Sequence, residues 1–458
     1  MPLSLSQVEL KAPDHHHVYP IRWAIVFILA LVNGSNAYLW ISFAPVADHF
    51  VAFYSTDATL LNWTQLIFPI TTVVFGLPAT LLVDWFGVRF VILTSVSVNL
   101  ICGLLRVMSS MITTWPSISG RLALIVIGQL VASLAQPLCM FTPAKLALDW
   151  FPDTQRTMAN TIGSLGNTVG VLIGSAIAPL FVQKPDDIPT FNYISLGVVG
   201  FGFLLSFMIV RRGKPLTPPS VAAAVLDHMH KQQPLLNNFI IIAQRFRKFI
   251  GQCIEPLRSA GFLLLMLAFG CGLAYFTTLS TLFQQILCTK GYSNQFAGLC
   301  GSLMIAAGLI ASFFSALFAD RTGLILEAVQ VCYSLGILGA VGFGLTLWYP
   351  HQMISIVFCV CWLGAWGFAQ YSLALELAAE ATFPVPEAIT SGLMIIGSQI
   401  LSVVFVSFMQ AVASPAQQNA DFTPACGPAA TPQVGEPDLI ITLLPNNWIE
   451  ARIVSSSG

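Results

Sequence analysis

Long apolar runs follow one another along most of the chain, and short polar segments separate them. Each run is close to or above 20 residues, which is about the helix length needed to cross the roughly 30 Å hydrocarbon core of a bilayer. None alternates apolar and polar residues as the strands of a membrane barrel do. The pattern predicts an all-α polytopic membrane protein with eleven spans: Trp23–Ala44, Leu61–Val83, Phe90–Met108, Leu122–Lys145, Met158–Phe181, Phe191–Val210, Phe262–Phe283, Phe296–Phe318, Leu324–Trp348, Met353–Leu375 and Ile389–Val412.

The composition agrees with a membrane protein and excludes several other classes. Of 458 residues, 56% are apolar and 9% are charged, whereas soluble proteins contain about 25% charged residues. The net charge of −1 gives no general attraction to nucleic acid, so we expect no such partner. The chain has no P-loop, GxSxG or HExxH arrangement, so the sequence predicts no enzyme, no cofactor and no metal site.

Basic residues are distributed unequally between the two sides that eleven spans define. Fourteen lie on the side of the N-terminus, and four lie on the other side, which predicts a cytoplasmic N-terminus. The longest loop carries eight of the fourteen, so it is predicted to be a cytoplasmic connector between two halves. The predicted division is a tail (1–22), a six-helix half (23–210), the connector (211–259), a five-helix half (260–412) and a Pro-rich tail (413–458).

One segment of the connector has a helical pattern of its own. Phe239–Ile254 mixes Phe and Ile with Arg and Lys at helical spacing. Such a helix lies along a membrane surface or packs on the inner face of the bundle, and the pattern does not decide between them.

Two short motifs recur at nearly one offset, which predicts duplicated halves. DWFGVR follows span two and DRTG follows span eight, with their aspartates 236 residues apart. WFPDTQR follows span four and FPVPE follows span ten, 232 residues apart. The charged and glycine residues of the first pair are Asp84, Gly87, Arg89, Asp320, Arg321 and Gly323.

These charges fall where a moving transporter needs a gate. A turn of this kind bridges its charges to a neighbouring helix end and releases them when the halves tilt. Arg156 lies in WFPDTQR, and Glu376 and Glu380 lie one turn apart near the end of span ten. We therefore predict a conformational gate at the cytoplasmic side; an ordinary turn without a moving part is the alternative.

Span five carries four glycines on nearly one face, among them Gly166 and Gly170. Small residues in a row allow another helix to approach closely. The pattern fits both a moving contact and plain tight packing.

Polar residues concentrate in spans one, four, seven, ten and eleven, which predicts a cavity between these spans. Hydrogen bonds between helices are the alternative for each of them. The spans contain no Asp or Glu at mid-membrane depth, so the simplest consequence is uncoupled, facilitative transport, with Glu376 as the contrary candidate for a proton-linked group. The main polar positions are Asn33, Asn36, Gln129, Gln136, Tyr275, Thr277, Gln370, Ser398 and Gln399.

Several long segments resemble a known family. They read SNAYLWISFAPVADHF, LVDWFGVR, LAQPLCMFTPAKLALDWF, QQILCTKGYSNQFAGLCG and ELAAEATFPVPEAITSGL, and the similarity extends over about residues 20–412. They resemble the major facilitator superfamily, and within it solute carrier family 49, the group of the feline leukaemia virus subgroup C receptor, nearest to its orphan third branch. The resemblance implies twelve helices and transport of small organic molecules.

The resemblance also implies a binding site. The receptor-type relatives are linked to choline and ethanolamine, and historically to haem. Their cation-binding tryptophan matches Trp40, and their polar site residues match Asn36, Gln136 and Gln399. Their second cage ring, a tyrosine, falls on Thr277. Tyr275, two residues away, is the candidate replacement, so the choline prediction is weaker than the fold prediction.

The sequence thus predicts a facilitative transporter of a small solute, with a choline-like amine favoured, acting as a monomer in the plasma membrane or an endomembrane. A haem exporter is an alternative, although the predicted spans contain no His to ligate iron. A receptor or scaffold that does not transport is another. After Val412 only the six apolar residues Leu439–Leu444 form a run, too short to span a bilayer, so we expect the twelfth helix of the family to be missing and the tail to lie outside.

Two cysteines bracket the outward loop between spans seven and eight. Cys288 and Cys300 lie on the oxidising side and are predicted as a possible disulfide pair. The alternative is that both are small core residues at helix ends.

Overall fold

A computed structural model describes residues 19–111, 118–152, 155–215, 217, 219, 239–349, 351–382, 385 and 387–412. The predicted tails 1–22 and 413–458 lie wholly or largely outside these ranges. Every long element in the described part is a helix. The helices are α1 (Ile21–Ile41), α2 (Ala47–Tyr54), α3 (Ala58–Met111), α4 (Ile118–Trp150), α5 (Arg156–Phe181), α6 (Ile188–Ile209), α7 (Phe239–Leu257), α8 (Ala260–Thr289), α9 (Asn294–Thr322), α10 (Ile325–Thr346), α11 (Met353–Ala381) and α12 (Glu387–Val412).

The eleven predicted spans are confirmed within the described residues. Helix α3 contains two of these spans. The chain turns at Gly87, and the residues on both sides of Gly87 remain helical. Helix α7 belongs to the connector and is not a span.

The first span differs from its prediction. Helix α1 ends at Ile41, a short 3-10 turn covers Ala44–Val46, and α2 continues to Tyr54. Pro45 stands inside that turn, where its ring and missing N–H prevent a continuous helix. The predicted end at Ala44 therefore falls in the break, and two further turns of helix follow it.

Helices α1–α6 pack as one half and α8–α12 as the other, with the connector joining them at one end of the bundle. We call this the connector end, and the opposite end the far end. The repeated turns lie at the connector end, and both contain a glycine with a positive φ: Gly87 at φ 76° and Gly323 at φ 67°. Only glycine adopts a positive φ freely, so both copies of the repeat need this residue. The two turns are not identical, because ψ is 170° at Gly87 and 8° at Gly323.

The glycines of α5 bring it into backbone contact with α1. A Cβ atom on Gly166 would overlap the carbonyl of Ala30, and a Cβ atom on Gly170 would overlap the carbonyl of Gly34. The two helices therefore pack without side chains between them along this stretch, as small residues allow in membranes. Since Asn33 and Trp40 belong to the same helix, this contact also fixes the wall of the cavity described below.

Replacement of Gly170 by Ala should destabilise the protein. The added methyl group has no space, and overpacking of this kind costs about 1–3 kcal/mol. Gly197→Ala in α6 is the matched control, because a Cβ atom there meets nothing within 4 Å. Thermal unfolding of both purified variants in one detergent checks this, and an equal midpoint for both would contradict the close contact.

Candidate functional site: a cavity between the two halves

A cavity of about 1490 Å³ separates the two halves. Helices α1, α3, α4 and α5 line one wall, and α8 to α12 line the other. The predicted spans one, four, seven, ten and eleven all contribute, so the concentration of polar residues there does mark a cavity.

The cavity opens at the connector end. Glu376 and Glu380 line it near the end of α11. At the far end the halves are joined: Asn62 Nδ2 donates to Gln285 Oε1 at 3.3 Å, and Gln285 Nε2 donates to Asn62 Oδ1 at 2.7 Å. Both amides are buried, so this contact between the halves is shielded from solvent.

A second polar contact closes the same end. Asp48 of α2 accepts a hydrogen bond from Asn294 Nδ2 of α9 at 2.7 Å, and Gln284 Nε2 donates to Asn294 Oδ1 at 2.8 Å. Asp48 is buried at 7% exposure. Asp48 belongs to α2, so this short helix places a carboxylate of the first half against the second half.

Most of the predicted binding residues line the cavity, well inside the ends of their spans. Trp40, Gln136, Tyr275, Thr277 and Gln399 all line it. Two of these five residues have a buried polar atom without a hydrogen-bond partner in the described part, Gln136 at Oε1 and Tyr275 at its hydroxyl; such atoms occur elsewhere too, among them Asn36 Oδ1. A buried polar atom without a partner costs free energy, so the Gln136 and Tyr275 atoms are placed to bind a ligand or ordered water.

Asn36 is the exception: it was predicted to bind the substrate, but it does not line the cavity. Its Nδ2 donates to Asn99 Oδ1 at 2.8 Å and to the Ala132 carbonyl at 2.9 Å, inside the first half. The cavity face of α1 instead carries Asn33, Ala37 and Trp40, spaced by four and three residues. Asn36 lies on the neighbouring face, turned toward α3 and α4.

Asn33 takes the position in the cavity wall that the prediction gave to Asn36. It donates to the Gly163 carbonyl at 3.2 Å and accepts from Asn167 Nδ2 at 3.3 Å, and both asparagines line the cavity. Asn33 and Asn36 both have helical spacing from Trp40, at seven and four residues, so the sequence pattern alone does not separate them.

Two phenylalanines that the sequence pattern did not single out pack against the same buried residues as Trp40. Phe276 and Phe368 line the cavity from the second half and meet edge to face at 5.2 Å between centroids. Trp40 packs against the same group of buried residues from the first half, and its indole Nε1 donates to the Gln65 carbonyl at 3.2 Å. The signal was available in AYFTTLS, where a phenylalanine directly precedes Thr277.

Arg106 lies near the end of predicted span three, a position from which an arginine side chain can reach water. In the structure its side chain is instead fully buried. Its guanidinium donates to the Leu39 carbonyl, to Ser42 Oγ at 2.9 Å and to Gln129 Oε1 at 2.9 Å, and it lies 4.2 Å from the centroid of the Phe43 ring. These acceptors lie at the break between α1 and α2. Arg106 thus replaces the helical donors that the break removes, close to Trp40.

Arg106→Met should destabilise the protein strongly, because it leaves three buried acceptors without this donor. Hydrogen bonds to charged groups contribute about 1.5–3 kcal/mol each. Arg212→Met, at an exposed arginine, is the control. Unfolding midpoints and expression level report the difference, and equal values for the two variants would show that the break is held by other contacts.

The predicted gate residues divide into two groups. Arg156, Glu376 and Glu380 line the entrance of the cavity. Arg89 and Arg321 are exposed at the connector end, whereas the side chains of Asp84 and Asp320 lie outside the described part. Lys145, also in the wall, lies 3.9 Å from Asp149. Lys145 is thus paired within its own helix, and the charges that the two halves present at the entrance are Arg156 from the first half and Glu376 and Glu380 from the second.

The predicted disulfide between Cys288 and Cys300 is wrong. Cys300 is a free thiol, fully buried among apolar residues of the second half. It lies on the second turn of α9 facing the core, which is the alternative the sequence left open for it.

Solved transporters share this arrangement of helices. A bacterial homologue of the human lysosomal transporter Spinster, inward-facing and unoccupied, matches with a TM-score of 0.62 at 14% identity, over 87% of this chain and 84% of the other. A D-xylose–proton symporter matches with a TM-score of 0.61 at 14% identity, over 84% and 88%. At such identities the likeness establishes the fold.

The sequence model of the major facilitator superfamily matches residues 25–417, so the chain belongs to this superfamily of membrane transporters. Solute carrier family 49 member A3 of Danio rerio is 33% identical over 405 residues, 88% of this chain and 81% of the relative. The Xenopus tropicalis protein of the same name is 34% identical over 401 residues, 87% and 79%. Within the superfamily, the chain is a member of solute carrier family 49.

A further relative is the human choline/ethanolamine transporter FLVCR2. It is 26% identical over 394 residues, 84% of this chain and 70% of the relative. The family resemblance drawn from the sequence segments is confirmed, and so is the nearer similarity to the third branch.

Proposed function

We propose that this protein carries a small organic amine across the membrane by alternating access, as a uniporter. The observation that supports this most is the site in the cavity wall, where Trp40 faces a cavity between two halves and buried polar atoms of Gln136 and Tyr275 have no partner in the described part. A scaffold or receptor that does not transport has no need to leave these groups without partners.

The chemistry of the site favours a cation held without a carboxylate. In the described cavity wall the acidic residues are Glu376 and Glu380, both near the entrance. Away from the entrance the ligand meets aromatic rings and neutral oxygens. A desolvated cation over a ring contributes about 2 kcal/mol, roughly thirtyfold in affinity. A quaternary or primary ammonium group suits such a site.

The family supports the same substrate class. Relatives are named as choline/ethanolamine transporters, at 26% identity. The cage tyrosine that the resemblance implies is Thr277 here, yet Phe276 and Phe368 supply rings opposite Trp40. We propose that Trp40 and these phenylalanines hold the ammonium group, while Gln136, Tyr275 and Gln399 bind the polar end of the substrate.

The transport cycle follows from which contacts exist in this state. The connector end, which we assign to the cytoplasm from its basic residues, is open. To open the far end, the Asn62–Gln285 and Asp48–Asn294 contacts must break. To close the connector end, the basic wall with Arg156 must approach the acidic wall with Glu376 and Glu380, while the turns at Gly87 and Gly323, with Asp84, Arg89, Asp320 and Arg321, act as the gate.

Trp40→Ala should lower choline uptake about thirtyfold, because the ring face is lost, and Trp40→Phe should lower it less. Radiolabelled choline and ethanolamine uptake, divided by surface-labelled protein, is the measurement. If Trp40 only packs, the Ala variant lowers protein abundance and leaves uptake per molecule unchanged, which would contradict the binding role.

Thr277→Tyr is the complementary variant, because it adds a ring at the position that the resemblance assigns to the cage. It should strengthen choline binding. If neither the wild type nor this variant shows a choline-dependent signal while another solute is transported, the substrate class is wrong and the transporter proposal stands.

The far-end closure has its own test. Asn62→Asp together with Gln285→Glu places two carboxylates where two amides now meet, and both cannot be charged at that distance without repulsion. At pH 8 the population with an open far end should rise about tenfold. Cys271, a free and partly exposed thiol in the cavity wall, then reacts with an impermeant maleimide applied from the far side.

Cys271→Ser in the same background subtracts labelling of other thiols. Asn62→Asp alone is the matched control, since its carboxylate still accepts from Gln285 Nε2. Equal Cys271 labelling in the wild type and the double variant would show that this contact does not control access.

A further inference from the structure

Helix α7 has two different faces. On one face Phe249 and Cys253 pack against apolar residues of α8, α11 and α12, including Phe262 and Leu393. On the other face Ile250, Ile254 and Leu257 are exposed at 40%, 44% and 36%. The helix is therefore held against the bundle and still presents an apolar row that no described residue covers.

Two arginines lie at the ends of that row. Arg247 and Arg258 are both exposed. At 100° per residue Arg247 falls on the same side of the helix as Ile254, and Arg258 directly follows the last helical residue, Leu257. Eleven residues separate them, which is about 16 Å along a helix. An apolar row bordered by cations is the arrangement of a helix that lies in a membrane interface, with its apolar side chains among acyl chains and its basic ones among headgroups.

The position of α7 in the chain brings this face to the membrane surface. Ser259 alone separates Arg258 from α8, whose first turns expose Leu263, Leu264 and Leu267 at 40%, 68% and 51%. These leucines belong to a span and face lipid. The exposed row of α7 is thus continuous along the chain with a lipid-facing surface.

The charge of the connector selects the kind of lipid. Residues 211–259 contain eight Lys and Arg against two acidic residues. Basic residues near an anionic membrane surface contribute about fivefold each to binding. A neutral headgroup offers them no such gain.

We propose that α7 is a binding site for anionic phospholipid of the connector-side leaflet, with Arg247 and Arg258 on the phosphate groups and Ile250, Ile254 and Leu257 against the acyl chains. The site is separate from the cavity, so its test needs no transport assay and does not depend on the substrate.

The experiment measures binding of fluorescently labelled phosphatidylserine to the purified full-length protein in neutral detergent, with labelled phosphatidylcholine as the neutral lipid. The wild type should bind the anionic lipid more tightly, and the difference should shrink at high salt. Arg247→Gln with Arg258→Gln should weaken phosphatidylserine binding about 25-fold, the product of two fivefold effects, and leave phosphatidylcholine binding unchanged. Arg247→Lys with Arg258→Lys should restore most of the loss.

Arg321→Gln is the matched control, because Arg321 is exposed at the connector end but lies on α9. It should change the affinity less than about twofold, since it lies outside the proposed site. Equal binding of both lipids by the wild type, or wild-type affinity in the Arg247/Arg258 double Gln variant, overturns the proposal. Light scattering on the same samples tests the other occupant of such a face, a second copy of the chain. A dimer that dissociates in the double Gln variant also overturns it.

Discussion

A polar group in the hydrocarbon core has no water to bind, so it must find its partner within the protein. The first half of this chain shows how far that constraint reaches. Pro45 breaks the first span, and the break would leave carbonyls without donors. Arg106 and Gln129 come from two other helices to meet the Leu39 carbonyl and the Ser42 hydroxyl. Leu39 directly precedes Trp40, so this buried cation helps to fix Trp40 in the cavity wall.

The same constraint makes the cavity informative. The amide nitrogens of Asn33 and Asn36 are bonded to named partners, whereas Asn36 Oδ1 is not. Gln136 and Tyr275 also have polar atoms without partners in the described part, and unlike Asn36 they line the cavity. A missing partner marks a group as available to a ligand only when the residue also lies in the cavity wall. The binding proposal therefore rests on these two residues and not on the number of polar residues in the spans.

Hydrophobic run length was enough to locate every span, because the thickness of the bilayer sets that length whatever the fold. Repeated turns were visible because a positive φ demands glycine at Gly87 and Gly323. The rotation of a helix about its axis is set by tertiary packing. For this reason Asn36 was predicted to line the cavity, whereas it lies on the neighbouring face of α1 and Asn33 lines the cavity. The same holds for Arg106 and for Cys300, whose burial depends on neighbours far away in sequence.

The two ends of the cavity use different chemistry, and this bears on how the protein changes state. The far end is closed by one amide pair between the halves, Asn62 with Gln285, and by the Asp48 carboxylate, which accepts from Asn294. Gln284 holds Asn294 from within the second half. An exchange of neutral hydrogen bonds for water costs about 0.5–1.5 kcal/mol each, so this closure is weak enough to open. The connector end carries charges of opposite sign on its two walls, whose attraction grows as the walls approach and water leaves. In the proposed transport cycle, this attraction counterbalances the far-end hydrogen bonds that break in the same movement. Two states within a few kcal/mol of each other, as the proposed uniporter requires, are the expected consequence.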